Sequence, residues 1–203
     1  MARTPGRRAL AYDAEMLDES LPRCAWAGTD PLYQRYHDEE WGVPLHGDRE
    51  LFEKLSLEAF QSGLSWITIL RRRDGFRAAF RGFSIEDVAA FDDSDTERLL
   101  GDPGIIRNRA KIEATIHNAR VLRDWLADEP GALDSLVWSH APAPRAQRPA
   151  SLAELPAHTE ESRALARALK LRGWRFVGPT TAYALMQSAG LVDDHVEGCW
   201  RAV

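Results

Sequence analysis

The chain has 203 residues, 44% hydrophobic and 28% charged, enough for one large domain or two small intertwined ones around a sizeable core. Glycine and proline are too few for a low-complexity or collagen-like chain, two cysteines cannot build a disulfide framework, and no apolar run is long enough to cross a bilayer. A net charge of −5, from 31 acidic against 26 basic residues, argues against coating nucleic acid by bulk charge but leaves room for a local basic face.

Residues 1–22 mix Arg7, Arg8, Asp13, Glu15, Asp18 and Glu19 and lack the apolar stretch and cleavage site of a signal peptide. They read as an N-terminal extension, mobile at its start, and the expected location is the cytoplasm, where cysteines stay reduced. Residues 23–203 read as helix after helix. Asp48 is placed to cap a segment with Leu51, Phe52, Leu55 and Ala59 on one face. Ser84 with Asp87 and Ser94 with Glu97 have capping-box spacing, each ahead of an apolar set. Ile112, Ile116, Ala119 and Leu122 form the inner stripe of a helix over about Arg107–Leu126. Three prolines make 141–150 a surface loop between two helical lobes. Thr159 starts a further helix ending near Gly173, and Pro179 opens the next, which Gly190 closes. No segment alternates with period two, so the fold class is all-α.

Cysteine and histidine are scarce, which makes their positions informative. His195 and Cys199 stand four apart, on one face if the segment is helical, with Asp193 or Asp194 as its cap. Together with Cys24 and His37, thirteen residues apart, they make up a Cys2His2 set of the kind that binds zinc. The plain alternative is two cysteines buried as small hydrophobes. One ion on all four ligands would staple the two chain ends together and leave no position open for a water nucleophile. His46, His117, His140 and His158 lack evident partners and read as surface or capping residues.

Two further segments carry chemistry. Around 164–190 a short turn joins two helices, with Val177-Gly178 just before the second. Gly178 allows close approach of a phosphate, the N-terminus of the following helix, with Thr180 in its first turn, offers free N–H groups, and Lys170, Arg172 and Arg175 lie around it. An ordinary αα-turn with solvated charges is the alternative. Earlier in the chain, Trp26, Tyr33, Tyr36, Trp41 and Trp66 crowd together, with Glu58 at the end of an apolar face. A buried carboxylate there needs a purpose, because an unpaired buried charge is costly. Gln61, Gly63 and Leu64 follow in a tight turn whose tip, Leu64, suits a wedge into a base stack.

At these residues the sequence resembles the 3-methyladenine DNA glycosylase I family. The matching segments are Asp30-Pro31-Leu32-Tyr33, Tyr36-His37-Asp38, Glu40-Trp41-Gly42-Val43-Pro44, Leu57-Glu58, Gln61 through Trp66, Gly104-Ile105-Ile106-Arg107-Asn108-Arg109, Phe176-Val177-Gly178 with Thr180-Thr181, and Asp194-His195-Val196. They span about residues 23–200 in one order. The resemblance implies a helix-hairpin-helix repair enzyme with one structural zinc on Cys24, His37, His195 and Cys199. It implies excision of 3-methyladenine, and more weakly 3-methylguanine, from alkylated double-stranded DNA, with the free base as product. The base pocket falls on Glu58 and Tyr36 with Trp66 stacking, lined or supported by Trp26, Tyr33 and Trp41, and the insertion loop on Gln61, Gly63 and Leu64. Ser62 replaces the commoner alanine, only four residues follow Cys199, and Asp193 is a secondary candidate for catalysis. No lysine in the pocket motifs is placed for Schiff-base chemistry, so a monofunctional enzyme without lyase step is expected. A monomer is expected as well.

Rival readings are a non-catalytic damage-binding module, which needs no pocket, and a zinc hydrolase, which needs an open metal position. Basic residues gather at Arg71-Arg72-Arg73, at Arg107, Arg109 and Lys111, and at Lys170, Arg172 and Arg175, on a chain with only three lysines. This pattern predicts modest, salt-sensitive DNA binding through few phosphates.

Overall fold

The computed structural model describes residue 18 and residues 20–202. Most of the segment expected to be a mobile extension therefore lies outside the described residues. Its last part is tied to the body, where Arg23 donates to the Asp18 carbonyl at 3.0 Å and the Trp200 amide to the Pro22 carbonyl at 2.8 Å.

The described residues form ten α-helices and no strand, so the all-α expectation holds. In chain order they are α1 (Pro31–Glu39), α2 (Asp48–Gln61), α3 (Trp66–Leu70), α4 (Arg73–Ala79), α5 (Ile85–Ala89), α6 (Asp93–Gly101), α7 (Arg109–Asp128), α8 (Ala132–Trp138), α9 (Glu160–Leu171) and α10 (Pro179–Ser188). Helices α2–α8 make one lobe. The other is built from α1, α9, α10 and both terminal segments, and the two share one continuous core. Six buried phenylalanines anchor the first lobe, with the Phe80 and Phe83 rings stacked at 5.3 Å and Phe60 and Phe76 at 4.7 Å.

Helix α2 is the element that positions the site. Leu51 through Phe60 are buried without interruption, including Glu53, Lys54 and Glu58, so each of these charges needs a partner inside the protein. Its C-terminal end is held from α7. Lys111 is buried and donates through Nζ to the carbonyls of Phe60 and Ser62, at 2.9 and 2.7 Å. This corrects the expectation of Lys111 as part of a basic surface: two carbonyls at the end of α2 have no helical partner, and the ammonium satisfies them.

Several caps differ from the sequence reading. Asp48 does not cap its own helix. Gly47 occupies that position, and the Asp48 carboxylate instead accepts from the amides of Gly131, Leu133 and Asp134, capping α8. Helix α6 starts two residues ahead of the Ser94–Glu97 pair, on a capping box made by Asp92 and Asp95. The Ser84 and Thr159 caps, the Pro179 start and the Gly173 and Gly190 stops are in place, and the helix expected from about Arg107 starts at Arg109 on an Asn108 cap. The four histidines read as partnerless have partners: His46 faces Asp134, His117 the Gly173 carbonyl, His140 the Leu136 carbonyl and His158 Arg163.

Gly190 brings the end of α10 against the segment after α1. Its φ is +75°, and a Cβ there would lie 2.6 Å from the Pro44 nitrogen. The approach is sealed by Gly42 N–H to the Gln187 carbonyl and Leu45 N–H to the Ala189 carbonyl, at 3.1 and 3.0 Å.

Candidate functional site

Six of the residues singled out in the sequence converge on one cavity of about 200 Å³: Trp26, Tyr33, Tyr36, Trp41, Glu58 and Trp66. Gln61 joins them at its edge. Helix α1 contributes Tyr33 and Tyr36 three residues apart, hence one above the other on a helical face. Asp30 fixes the start of α1, its carboxylate accepting from the amides of Leu32 and Tyr33. The rings form a box in edge and tilted contacts: Trp26 lies 4.9 Å from Tyr33 and 5.1 Å from Trp41, and Tyr36 lies 5.5 Å from Trp66. The Trp66 indole N–H is buried with no partner among the described residues. The volume falls below the roughly 300–1,000 Å³ typical of drug-sized ligands, so the box suits one flat heterocycle.

Glu58 is 5% exposed and accepts from the Ser188 hydroxyl at 3.0 Å. Burial pushes its carboxyl up from 4.5 to about 7, against the pull of the Lys54 ammonium and the Ser188 hydrogen bond. The same buried charge helps push the Tyr33 and Tyr36 phenols up, behind burial itself.

Sequence reasoning missed part of this cavity. Ser188, Gln187 and Ala184 come from α10, and Leu152 and Leu155 from a 3-10 turn over residues 152–154 and the residue after it. Their only sequence signal is the packing of α10 on α2, which spacing does not reveal. Lys54 was also missed. It stands outside the motifs in which no lysine is placed for Schiff-base chemistry: Lys54, one turn before Glu58, is 9% exposed, with Nζ 5.2 Å from the Tyr36 ring centre and 5.8 Å from that of Trp66. It was overlooked because it stands outside the matching motifs.

Beside the box, Cys24, His37, His195 and Cys199 are all buried, with ligand atoms within 4.8 Å of one another. His195 and Cys199 are not on a helix as expected. The segment 191–200 is a series of turns, and His195 is aimed by its amide donating to Asp193 at 3.2 Å. Three distances test the fit to a metal. Sulfur and ring nitrogen of two ligands on one tetrahedral zinc should stand about 3.5 Å apart, from Zn–S near 2.3 Å and Zn–N near 2.0–2.1 Å. Cys24 Sγ lies 3.6 Å from His195 Nδ1, and Cys199 Sγ lies 3.5 Å from His195 Nδ1 and 3.4 Å from His37 Nε2. The outer ring nitrogens are held as well, His37 Nδ1 at 2.8 Å from Asp38 and His195 Nε2 at 3.3 Å from the Trp41 carbonyl. Burial keeps the His195 imidazole neutral, down at about 4, which is the ligand form.

Asp38 is the hub that sequence reasoning left without a role. It accepts from Arg23, from the Trp200 indole at 3.0 Å and from His37 if that ring carries its proton on Nδ1. The Trp200 anchor, with the Cys199 amide donating to the Val196 carbonyl, holds the short segment after Cys199 that seemed to lack support. The cluster also braces the box. Trp26 packs 5.2 Å from His37, and Trp41 packs 4.7 Å from His195.

On the same chain, α9 and α10 meet at a turn. Leu64 tips a separate turn, closed by its amide on the Gln61 carbonyl, with Gly63 at φ +84°, and is 41% exposed. At the α9–α10 turn Lys170, Arg172, Arg175 and Thr180 are exposed. Arg172 lies over the Trp125 ring at 4.3 Å, and the Arg175 backbone is clamped by Asn118. Gly178 has φ −121°, and a Cβ there would meet no atom within 4 Å. Neither backbone strain nor packing accounts for a glycine. Elsewhere the basic groupings are partly neutralised: Arg71 pairs with Asp30, Arg73 with Glu40 and Arg109 with Glu97. Asp193 pairs with Arg148 outside the cavity, which removes it as a catalytic candidate facing the pocket.

An all-helical protein with an aromatic box closed round one buried carboxylate is built to engulf a single base-sized heterocycle. The family model described as methyladenine glycosylase matches residues 26–202. The chain is 47% identical over 180 residues to DNA-3-methyladenine glycosylase 1 of Escherichia coli strain K12, covering 88% of this chain and 96% of that protein. Among solved structures it is similar to a crystal structure of 3-methyladenine DNA glycosylase I, with TM-score 0.84 and 47% identity over 88% of this chain and 98% of the other. It is also similar to a variant of 3-methyladenine DNA glycosylase I in complex with 3-methyladenine, with TM-score 0.81 and 31% identity over 88% and 96% of the two chains. The chain belongs to the methyladenine glycosylase family.

Proposed function

We propose that the protein is a monofunctional DNA glycosylase that flips 3-methyladenine out of alkylated double-stranded DNA and hydrolyses its glycosidic bond. The observation that carries this reading is Glu58: a carboxylate buried inside a one-base aromatic box, with one oxygen held by Ser188.

Methylation at N3 gives the adenine ring a positive charge and weakens its bond to the sugar. The C1′–N9 pair leaves with the base, which becomes neutral, so the reaction makes little demand on acid catalysis. Water attacks C1′ and gives up its proton. The protein supplies extrusion and selection. Trp66 and Tyr36 offer electron-rich faces to the cation, each contact contributing about 0.5–2 kcal/mol. Glu58 accepts hydrogen bonds from the base edge and complements its charge. Neutral adenine gains neither and keeps its stacking in the duplex. Trp26, Tyr33 and Trp41 wall the box. Leu64, on its turn with Gln61 and Gly63, fills the gap left in the stack. The α9–α10 turn acts as a helix-hairpin-helix grip: Gly178 leaves room for a phosphate at the N–H groups of Thr180 and Thr181, with Lys170, Arg172 and Arg175 near.

Cys24, His37, His195 and Cys199 would hold one zinc. With four protein ligands its contribution is to the fold, bracing Trp26 and Trp41, and not to the reaction. This argues against a zinc hydrolase. The base-sized cavity with its buried carboxylate argues against a mere damage-binding module. Lys54 lies outside the base cavity, which supports hydrolysis without a Schiff base. Free 3-methyladenine release from methylated duplex DNA, with Glu58→Gln as control, tests the reading. Loss of release in a folded variant supports it, and undiminished release removes Glu58 from it.

A further inference from the structure

Behind the aromatic box lies a second cavity of about 230 Å³, and Trp66 and Ser188 line both. Lys54 lines the rear cavity only. Its position is unusual for a lysine. Nine-tenths of it is buried, and its ammonium lies over the Tyr36 and Trp66 rings. A buried ammonium needs a counter-charge.

The charged groups that act on it come from three elements. On α2 are Glu53 and Glu58, at the end of α1 is Glu40, and on α4 is Arg73; Glu39, Arg49, Glu50 and Arg77 also line the rear cavity, and α10 adds the neutral Ser188 hydroxyl. Tyr33 and Tyr36 of α1 complete the surroundings of Glu58. Two of the three acids are already neutralised by arginine. Arg77 donates to Glu53 at 2.7 Å, with Arg49 on its other oxygen, and Arg73 grips both oxygens of Glu40. Glu58 is the acid whose charge no arginine meets, and its named hydrogen bond comes from a neutral hydroxyl. Lys54 and Glu58 are four residues apart on one helix, hence neighbours on its surface. The order, lysine before glutamate, is the weaker one for stabilising a helix, so helix propensity does not explain the pair.

We propose that Lys54 is a positioning residue for the base pocket, its ammonium supplying from the rear cavity the counter-charge under which Glu58 receives the flipped base as an anion. The inference deepens the proposed function and rests on its reading of Glu58. It also assigns the rear cavity a purpose: it admits a cation to the back of the box while keeping that cation away from the positively charged base. Lys54 is the strongest influence lowering the Glu58 carboxyl against burial.

Lys54→Met keeps the stem and removes the charge, and Lys54→Arg keeps the charge. In the metal-loaded protein, the Glu58 carboxyl is followed by carbon-13 NMR against pH, assigned with Glu58→Gln. In parallel, single-turnover release of 3-methyladenine from methylated duplex DNA is measured from pH 5 to 9. Lys54→Met should move both the carboxyl midpoint and the acid limb of release upward by about one to two pH units. Release near pH 6.5 should fall about tenfold or more, with the loss shrinking towards pH 9. Lys54→Arg should hold both midpoints near the wild type, and serves alone if the methionine variant does not fold. Unmoved midpoints in a folded Lys54→Met, or equal displacement in Lys54→Arg, overturns the proposal. Full release by Glu58→Gln would overturn the reading of the pocket instead, while the NMR titration still reports the pair.

Discussion

Replacing Glu58 by Gln should make the protein more stable, and increasingly so as pH rises. Burial lifts the Glu58 carboxyl from 4.5 in the unfolded chain to about 7 in the folded one. Between those values the folded state holds a proton that the unfolded state has released. Stability from this group is therefore fully present below about pH 4.5 and is lost as pH climbs through 7. A displacement of that size corresponds to about 3 kcal/mol. Gln matches the protonated acid in shape and never ionises. The variant should equal the wild type near pH 5 and exceed it by about 3 kcal/mol at pH 8, or about 6–12 °C in Tm for a domain of this size. Urea unfolding at pH 5, 6, 7 and 8, both proteins metal-loaded, isolates the difference because effects of other groups cancel. Parallel stability curves, or a wild type that gains on the variant with rising pH, would refute the reasoning. The expected curve is that of a residue kept for function at the expense of stability.

Other consequences are separable from this one. Cys199→Ser should bind less than one zinc per chain where the wild type binds one, and should lose several kcal/mol of stability, as elemental analysis and thermal unfolding will report. Leu64→Ala, on an exposed turn tip, should leave stability within about 0.5 kcal/mol while reducing excision from duplex DNA. Binding of free 3-methyladenine, read by tryptophan fluorescence, should not change in it. Gly178→Val meets open space and needs no backbone change, so it should fold normally yet weaken duplex binding at least tenfold. The salt slope of wild-type binding should stay below that of about ten phosphate contacts. Only Lys170 of the three lysines is exposed, and Arg71, Arg73 and Arg109 are ion-paired, which leaves few free cations.

The sequence carried the class of the fold and the members of the site, but not the contacts that set their chemistry. Helix caps are local, so Ser84, Asn108, Thr159 and Pro179 are legible from a few residues. Asp48 is the counter-example, since its carboxylate caps a helix more than eighty residues away. The four members of the Cys/His cluster were legible because cysteine and histidine are rare here. Their geometry was not, because His195 and Cys199 meet through turns where a helix was expected. Lys54 and Lys111 both counted as ordinary charges in a composition. Each is buried by tertiary packing that no period encodes, one behind the pocket and one on the carbonyls that end α2. The same holds for Ser188, which reaches Glu58 across 130 residues.

The acidic balance that first weighed against nucleic acid is an average, and the surface is organised otherwise. The direct test of the central claim is release of free 3-methyladenine from methylated duplex DNA by the metal-loaded protein, resolved by chromatography. We expect 3-methyladenine as the main product, intact sugar-phosphate strands, and loss of release in a folded Glu58→Gln protein. Undiminished release by that variant, or no release by the wild type, would contradict it.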